Sequence, residues 1–472
     1  MSQIENKHTD FRSAIRRMSE MGRIQVYENP IDRKLEVAAV MKKLDGGKAI
    51  LFPSVTDSEV PVIGNLLCCQ ENCEAAFGTD FRGIRGLIDR AFKNPMEPNV
   101  VADAPVQTCI HTDNLDIREM FPVLRHTVAD SGDYISAGIV LAQDPETKIY
   151  NASYHRLQLN SGNRLGIKLD YGRHLRLAYE RAKELSQPLP VAICLGADLA
   201  LQYTAATMGS RMPEQANEIA FAGGLAGRPL AVANAVSQPI IVPAEAEIII
   251  EGQISPDVME PEGPFGEFIG YMAPQADAPV VEITAITHRQ NPIYQAINGY
   301  GRETVMLRKY VLEASLLDVL QSATPIVEDA EMTAGGLHRF HAVVQINKTT
   351  PQHNGMERNV MAAAFGALKD LDLVIVVDED IDIRDPLDVE YALATRFEAS
   401  KDLVTIPGAR GHEYVRAGAD GIRAKLGIDA TVPFEDKALF SRCEFEEVSL
   451  GDNDLNDNSE AYDHLWSSQQ TD

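Results

Sequence analysis

The sequence predicts a mixed α/β (α+β) protein of three units, because its apolar pattern changes twice along 472 residues. Helix-like and strand-like segments alternate over 1–108, strand-like segments joined by short turns fill 109–303, and strands alternate with helices over 304–449. A chain of this length exceeds one typical hydrophobic core, so two or three domains are expected. We predict an N-terminal α/β unit, a central split β-barrel and a C-terminal α/β domain.

The N-terminal unit begins with an amphipathic helix. Asp10 is a good helix cap, Phe11, Ile15 and Met18 share one face, and Gly22 is suited to the C-terminal end. The following apolar runs predict strands at 24–27 and 49–52 and a helix at 35–44. Nothing in this unit indicates catalysis.

The central unit is predicted to be a β-meander interrupted by one helix. Its segments alternate in polarity or run apolar between good turn sequences, which is typical of strands that close into a barrel. The predicted elements are strands at 135–143, 149–159, 164–169, 190–195, 230–236 and 240–250, a hairpin over 280–297, and a helix at 173–185.

The third unit has the alternation of a parallel sheet covered by helices. It predicts strands at 340–348 and 373–378 and helices at 355–369 and 386–395. The acidic turn 378–382 lacks a Gly-rich phosphate loop, so its carboxylates are interpreted as solvated. The tail 450–472 has no Lys or Arg and many Asp, Asn, Ser and Gln, and is predicted to be disordered.

The composition limits the partners. A net charge of −26 disfavours nucleic acid and anionic membranes, which both need a basic face. No apolar window approaches the length of a membrane span, so the sequence predicts a cytoplasmic protein without membrane contact. Cys68, Cys69 and Cys73 lack a paired second half, which makes buried thiols a better interpretation than a zinc site.

The chemistry-bearing stretch is the run from Glu260 to Phe268, which we predict to be a shaped turn and not a helix or central strand. Glu262 and Glu267 are five residues apart, so only a turn would aim both at one cavity. In a partly dry pocket, desolvation and mutual repulsion raise the pKa of one such carboxyl, which suits acid and base roles. By composition alone, a solvated surface turn is the commoner alternative.

The run from Pro261 to Glu267 resembles the signature loop of the UbiD-like decarboxylases, which use prenylated FMN. Further marks of that family lie between Asn151 and Pro433, so the resemblance covers most of the chain. It implies an Arg156, Glu262 and Glu267 catalytic set, in which Arg156 orients the substrate carboxylate and Glu267 delivers the proton that replaces CO₂. Without the resemblance, Arg156 would be interpreted as an edge or surface residue.

The same resemblance implies a metal and cofactor site. Asn151, His174 and Glu218 match the metal ligands, and their mostly hard donor atoms suit Mn²⁺ or Mg²⁺; K⁺ is left open as a second ion. Cations are needed to hold a flavin phosphate in so acidic a protein, and Lys348 matches the phosphate-contacting lysine. The implied cofactor-binding residues are Asn151, Ser153, Tyr154, His155, Arg156, Arg173, His174, Glu218 and Lys348.

The predicted function is therefore a non-oxidative, reversible decarboxylase of an aromatic, heteroaromatic or α,β-unsaturated carboxylic acid. In that interpretation the cofactor accepts the electrons left by CO₂, and a separate flavin prenyltransferase must supply it. Family members associate through the matching C-terminal region, which implies a homo-oligomer, a dimer or a hexamer. The alternative is a non-catalytic flavin-binding or assembly protein on the same scaffold.

Overall fold

A computed structural model describes residues 9–449 except 171, 208–211, 418–420, 444 and 447, and it confirms the mixed α/β class. The predicted disordered tail 450–472 lies outside the described residues. Within the part of the chain that is described, no helix is both long and apolar enough to cross a membrane. The cytoplasmic location stays a prediction.

The helices of the described residues are α1 (Phe11–Glu20), α2 (Glu36–Lys43), α3 (Gln70–Phe77), α4 (Phe81–Lys93), α5 (Ile117–Met120), α6 (His174–Glu184), α7 (Leu199–Ala206), α8 (Glu218–Ala226), α9 (Arg302–Ala323), α10 (Met356–Ala367) and α11 (Pro386–Arg396). Short 3-10 turns lie at Pro105–Gln107, Pro351–His353 and Phe434–Phe440.

The strands are β1 (Ile24–Val26), β2 (Ala49–Phe52), β3 (Val62–Gly64), β4 (Asn99–Val100), β5 (Cys109–His111), β6 (Tyr134–Ile135), β7 (Ile139–Gln143), β8 (Tyr150–Tyr154), β9 (Leu157–Ser161), β10 (Arg164–Ile167), β11 (Leu189–Leu195), β12 (Ala231–Asn234), β13 (Ile241–Pro243), β14 (Ile248–Glu262), β15 (Phe265–Gly266), β16 (Met272–Ala273), β17 (Ala276–His288), β18 (Tyr294–Ala296), β19 (Val327–Met332), β20 (His341–Ile346), β21 (Leu373–Asp378), β22 (Leu403–Arg410) and β23 (Ile422–Ala430).

The N-terminal unit is a four-stranded sheet in the order β1-β2-β3-β18. As predicted, α1 begins after Asp10, whose carboxylate accepts a hydrogen bond from the Ser13 N–H. The last strand comes from the central region, because β18 pairs in parallel with β3. This corrects the predicted hairpin over 280–297: Tyr294 and Ala296 are buried in the N-terminal unit and do not fold back onto β17.

The central unit is built on the long antiparallel pair β14 and β17, the middle strands of a nine-stranded sheet. The order along the sheet is β6-β9-β10-β17-β14-β11-β7-β8, and β5 pairs with the outer end of β17. The predicted single strand 149–159 is broken, since β8 ends at Tyr154 and β9 begins at Leu157. His155 and Arg156 lie at that break.

The expectation that residues 260–268 contain no central strand was partly wrong. Glu260 to Glu262 continue β14 and pair with β17, with Pro261 opposite Asp277. Proline is tolerated there because β11 pairs with β14 only as far as Ile254, so Pro261 lies on an edge where its missing N–H is not needed. The turn itself begins at Gly263.

The C-terminal unit is a five-stranded sheet in the order β19-β20-β21-β23-β22, with β20, β21 and β23 parallel. The 22-residue helix α9 connects it to the rest of the molecule. Met306 and Tyr310 pack in the main core, whereas Leu316 and Leu320 pack in the C-terminal core. The sequence interpretation missed α9, because charged and apolar residues are mixed around this helix and leave no 3.6-residue apolar stripe.

The β14 strand should therefore dominate the stability of the central unit. Ile250 is fully buried near the start of this strand, and Ile250→Ala should cost about 2–5 kcal/mol through lost contacts and a residual cavity. The matched control is Ile110→Ala on β5 of the same sheet, where the side chain is exposed and the expected change is within about 0.5 kcal/mol. Denaturant unfolding of both variants checks this, and equal losses would contradict it.

Candidate active site

The site is organised around the guanidinium of Arg156. Its Nε and Nη2 donate to the two carboxylate oxygens of Glu262 at 2.8 and 2.7 Å, and its Nη1 donates to Glu267 Oε1. The aromatic ring of Phe265 lies 5.5 Å below the guanidinium carbon. The structure thus brings the three predicted catalytic residues into direct contact, as the turn argument required.

Local backbone structure fixes each of the three side chains. Glu262 ends β14, and the turn after it is held by the Gly263 N–H, which donates to Gln158 Oε1 at 2.8 Å and Tyr134 Oη at 3.1 Å. Gly263 has a φ of 85°, and an added Cβ would lie 3.0 Å from the Pro274 carbonyl oxygen, so glycine suits this turn. Arg156 reaches the turn because it lies at the break between β8 and β9.

The two carboxylates have different environments. Glu262 is 1% exposed and bound through both oxygens, whereas the Glu267 side chain is 17% exposed and contacts Arg156 through one oxygen. Burial raises the pKa of Glu267, the charges of Asp170 and Glu262 add to the rise, and Arg156 opposes it. Glu267 is therefore the carboxyl of this pair that is suited to carry a proton.

A second cluster forms around the buried carboxylate of Glu218, the first residue of α8. Its Oε2 accepts from Asn151 Nδ2 at 2.6 Å and from the Ala152 N–H, and its Oε1 lies 3.2 Å from His174 Nδ1. Burial raises the pKa of Glu218, and the bond to Glu218 raises the pKa of His174. The three predicted metal ligands are thus neighbours.

These residues fit a hard divalent cation. Amide oxygen, imidazole nitrogen and carboxylate oxygen are available from three elements that converge on one point, namely β8, α6 and α8. Among the residues that the structure describes, no three His, Cys, Asp or Glu side chains are grouped so that they could hold a metal ion. A metal here would therefore depend on the asparagine as its third protein ligand.

Both clusters line one cavity of about 370 Å³. Every predicted cofactor or catalytic residue contributes to its wall except Glu262, which lies behind Arg156, and Lys348. The predicted residues in the wall are Asn151, Ser153, Tyr154, His155, Arg156, Arg173, His174, Glu218 and Glu267. A larger, more open cavity of about 640 Å³ is lined by Arg33, Lys34, Arg118 and Arg125 among others, and holds none of the predicted site residues.

The position of Lys348 corrects the expectation that it contacts the cofactor phosphate. Lys348 is 3% exposed within the C-terminal unit, where its Nζ donates to Thr431 Oγ1 at 2.7 Å and lies 3.4 Å from Glu357 Oε2. It follows β20, a strand of the C-terminal sheet, and does not line the cavity. Its charge is already balanced by its own neighbours.

The sequence interpretation missed several residues of the cavity wall, and most of them come from the C-terminal half. The missed ionisable residues are Lys168, Asp170, Arg308, Arg339, His412 and Tyr414. Arg308 lies on α9, a helix that the sequence interpretation did not predict. His412 and Tyr414 lie in a loop after β22, and no local pattern marked them.

Comparison with known proteins identifies relatives over nearly the whole chain. Three family profiles match in order: the 3-octaprenyl-4-hydroxybenzoate carboxy-lyase N-terminal domain over residues 15–91, its Rift-related domain over 99–301 and its C-terminal domain over 305–430, all named UbiD. The chain is 35% identical to an anhydromevalonate phosphate decarboxylase from Methanosarcina mazei, covering 92% of this chain and 98% of that one. A gallate decarboxylase from Lactiplantibacillus plantarum is 30% identical, covering 87% and 89%.

Solved structures of UbiD-class enzymes are also similar to this chain. The UbiD-class enzyme HmfF from Pelotomaculum thermopropionicum in complex with FMN superposes with a TM-score of 0.88 at 36% identity, covering 92% of this chain and 97% of that one. An evolved dimeric form of the same enzyme in complex with prFMN gives a TM-score of 0.84 at 34% identity, covering 94% and 97%.

The electrostatics of Glu267 give a testable consequence. The negative charge of Asp170 raises the pKa of Glu267, so Asp170→Asn should lower that pKa. NMR of isotope-labelled glutamate across a pH titration measures it. The control is Asp277→Asn on β17, an exposed residue outside the cavity wall, which should leave the Glu267 titration unchanged. An unchanged or higher pKa in Asp170→Asn would contradict the account.

Proposed function

The chain belongs to the UbiD family of carboxy-lyases, and from that premise we propose that it is a prenylated-FMN-dependent, non-oxidative and reversible decarboxylase. Its substrate class is an aromatic, heteroaromatic or α,β-unsaturated carboxylic acid. The observation that carries the proposal is the contact of Arg156 with Glu262 and Glu267 in a cavity that Asn151, His174 and Glu218 also line. One cavity thus offers both an acid and a cofactor anchor.

Prenylated FMN, when bound, supplies the electron sink that a carbon losing CO₂ requires. The residues that would hold it are those of the second cluster together with Ser153, Tyr154, His155 and Arg173, which line the same cavity. Solved relatives hold FMN or prFMN, which supports the assignment. A separate flavin prenyltransferase is proposed as the supplier of the cofactor.

Arg156 is proposed to orient the substrate carboxylate. A guanidinium has five N–H donors, and Glu262 and Glu267 together accept from three of its nitrogens, which leaves two N–H groups for a substrate. Glu262 is held through both of its oxygens, so it is proposed to fix the plane of Arg156. The carboxylate to be lost would therefore face a rigid cation.

Glu267 is proposed to deliver the proton that takes the place of CO₂. Its raised pKa keeps a protonated fraction at a higher pH than an ordinary glutamate would, and its partial exposure allows it to exchange with water. In the carboxylation direction the same oxygen would accept the proton from carbon. Turnover that depends on the acid form should fall as the pH rises through the pKa of Glu267.

The second cluster is proposed to bind Mn²⁺ or Mg²⁺ through Asn151, His174 and Glu218, with K⁺ remaining a prediction of the resemblance alone. A divalent ion would give this strongly acidic chain the local positive charge that a flavin phosphate needs. Arg173 immediately precedes His174 and lines the cavity, so it can add positive charge at the same end of the site.

The rival reading, a non-catalytic flavin-binding or assembly protein, has less support. Relatives across the family are decarboxylases, among them the gallate decarboxylase. A binding protein also has no use for a buried acid held against an arginine, since each buried charge costs desolvation energy. The relatives act on different acids, and one of them is an anhydromevalonate phosphate decarboxylase. They therefore indicate the type of reaction but not which acid is the substrate.

A homo-oligomer, dimer or hexamer, is also proposed. The C-terminal segment exposes large apolar side chains, with Leu439 81% and Phe445 92% exposed. Exposed apolar side chains of this size are typical of a surface that another subunit covers. The full-length protein should give a multimeric mass by light scattering, and Leu439→Ser with Phe445→Ser should lower it. Removal of 451–472 is the control that should leave it unchanged. A monomeric mass for the unmodified protein would contradict the proposal.

The proton donor can be tested with a near-isosteric change. Glu267→Gln keeps the size of the side chain but removes the transferable proton, so flavin should bind normally while turnover falls by roughly 10²-fold or more. Arg156→Ala should differ, because it weakens substrate binding as well as turnover. Flavin absorbance and CO₂ release measure both effects. Near-normal decarboxylation by a flavin-loaded Glu267→Gln protein would remove Glu267 from this role.

The metal site can be tested without any substrate. Glu218→Gln should weaken Mn²⁺ binding by at least about 10- to 100-fold, because it removes the charged ligand. Electron paramagnetic resonance of free Mn²⁺ during a titration measures the affinity. The matched control is Glu180→Gln on α6, whose carboxylate pairs with Arg176 outside the cavity wall. Equal Mn²⁺ affinities of the unmodified, Glu218→Gln and Glu180→Gln proteins would refute the metal site.

A further inference from the structure

The larger cavity, of about 640 Å³, has a basic wall that the proposed function does not use. In the whole chain, 69 Asp and Glu residues outnumber 43 Lys and Arg residues, but in this wall the balance is reversed. Its basic side chains are Arg33, Lys34, Arg118 and Arg125, and its acidic side chains are Asp133 and Glu260. The cavity is therefore a local positive feature that the overall composition does not explain.

The main chain holds these cations together. The Leu35 N–H donates to the carbonyl oxygen of Arg125 at 2.9 Å, and the Arg125 N–H donates to the carbonyl oxygen of Arg33 at 3.3 Å. The guanidinium of Arg33 in turn donates to the carbonyl oxygen of Arg118 at 3.0 Å. Residues far apart in the chain thus bring like charges to one place, where they repel one another unless an anion lies among them.

The basic side chains of this wall have no acidic partners of their own. The guanidinium groups of Arg33, Arg118 and Arg125 donate to carbonyl oxygens of the main chain. Over the described part of the chain, none of the four basic side chains forms an ion pair with a carboxylate. Of the two acids in the wall, Glu260 is already engaged, because it pairs with Arg164 at 2.7 Å. The wall therefore has more positive charge than its own carboxylates balance.

The occupant that suits this wall is a small anion with two or more negative charges. Guanidinium and ammonium groups bind phosphate and carboxylate oxygens through charged hydrogen bonds. A cavity of about 640 Å³ has the size of a small-molecule site. A nucleic acid or a membrane would also meet the repulsion of a chain with a net charge of −26. A small anion meets mainly the charges within about 10 Å, because salt screens the others.

The cavity is separate from the proposed catalytic site but lies behind its turn. No residue lines both cavities. Gln158 and Pro261 are in the wall of the basic cavity, and Gln158 Oε1 accepts from the Gly263 N–H at 2.8 Å. Glu262, the residue between Pro261 and Gly263, contacts Arg156 on the catalytic side. The basic cavity and the catalytic cavity are therefore on opposite sides of one strand end.

We propose that the basic cavity is a second binding site, which takes a small multivalent anion with phosphoryl or carboxylate groups. The half-buried Arg33 and Arg125 supply donors that the main chain holds in place, and the exposed Lys34 and Arg118 add charge at the surface. The bound anion contacts the reverse side of the catalytic turn, next to Gln158. The site is independent of the proposed reaction, because none of its residues lines the catalytic cavity.

The test compares small anions that differ in charge. Full-length protein loaded with FMN and Mg²⁺ is titrated by calorimetry with inorganic phosphate, tricarballylate and acetate at constant ionic strength. Phosphate or tricarballylate should bind at least about 10-fold more tightly than acetate, because each added charge meets a further cation. Tighter binding of phosphate assigns a phosphorylated ligand to the site, and tighter binding of tricarballylate assigns a polycarboxylate.

Two double variants locate the binding. Lys34→Gln with Arg118→Gln removes the two exposed cations of the wall and should weaken the tighter anion roughly 10-fold. If that protein does not fold, Arg118→Gln alone replaces it and should weaken binding roughly 3-fold. The matched control is Arg16→Gln with Lys48→Gln, which removes the same charge from exposed positions outside both cavities and should leave the affinity unchanged.

Three results would overturn the site. Equal affinities of the three anions for the unmodified protein would show that the wall does not recognise charge. An unchanged affinity in the Lys34→Gln, Arg118→Gln protein would place the binding in another part of the molecule. Equal weakening in both double variants would show attraction to the overall charge and not to this cavity.

Discussion

The structure depends on a buried guanidinium held by two carboxylates. A guanidinium and two carboxyl groups inside a protein are stable only when their hydrogen bonds are nearly complete, so the strands and the turn that carry them must be placed closely. Glu262 comes from the end of the longest strand pair, Glu267 from the turn that follows, and Arg156 from a break between two strands. The long strand pair, the turn after β14 and the break between β8 and β9 therefore act together to place these three side chains.

The same principle accounts for the second end of the cavity. Two helices begin there, α6 with His174 and α8 with Glu218, and β8 brings Asn151 between them. In a chain with a net charge of −26, an anionic cofactor is held only where cations are gathered locally. The cavity achieves this with arginines from several units, among them Arg173 and Arg308. The wall of the cavity thus carries five Lys or Arg side chains beside three Asp or Glu side chains, although acidic residues outnumber basic ones in the whole chain.

The sequence predicted the three-unit α/β fold and the residues that lie on short motifs, because a motif keeps its members close in the chain. Pro261 to Glu267 is such a run, and the acids that it carries do meet Arg156. Site residues that are far apart in the sequence were harder to assign. Lys348 was assigned by a weaker match and lies in another unit, where Thr431 and Glu357 balance its charge. Arg308 was missed because α9, in which charged and apolar residues are mixed, shows no amphipathic pattern.

The central claim is that Glu267 moves the proton between water and the substrate carbon. A reversible proton transfer must also run backwards, so the enzyme with its prenylated cofactor should exchange the corresponding hydrogen of the decarboxylated product with solvent in D₂O, in the absence of CO₂. The measurement is NMR of deuterium incorporation at that carbon by the unmodified and Glu267→Gln proteins at equal flavin occupancy. The account predicts exchange by the unmodified protein and its loss in Glu267→Gln. Equal exchange by both proteins would contradict it.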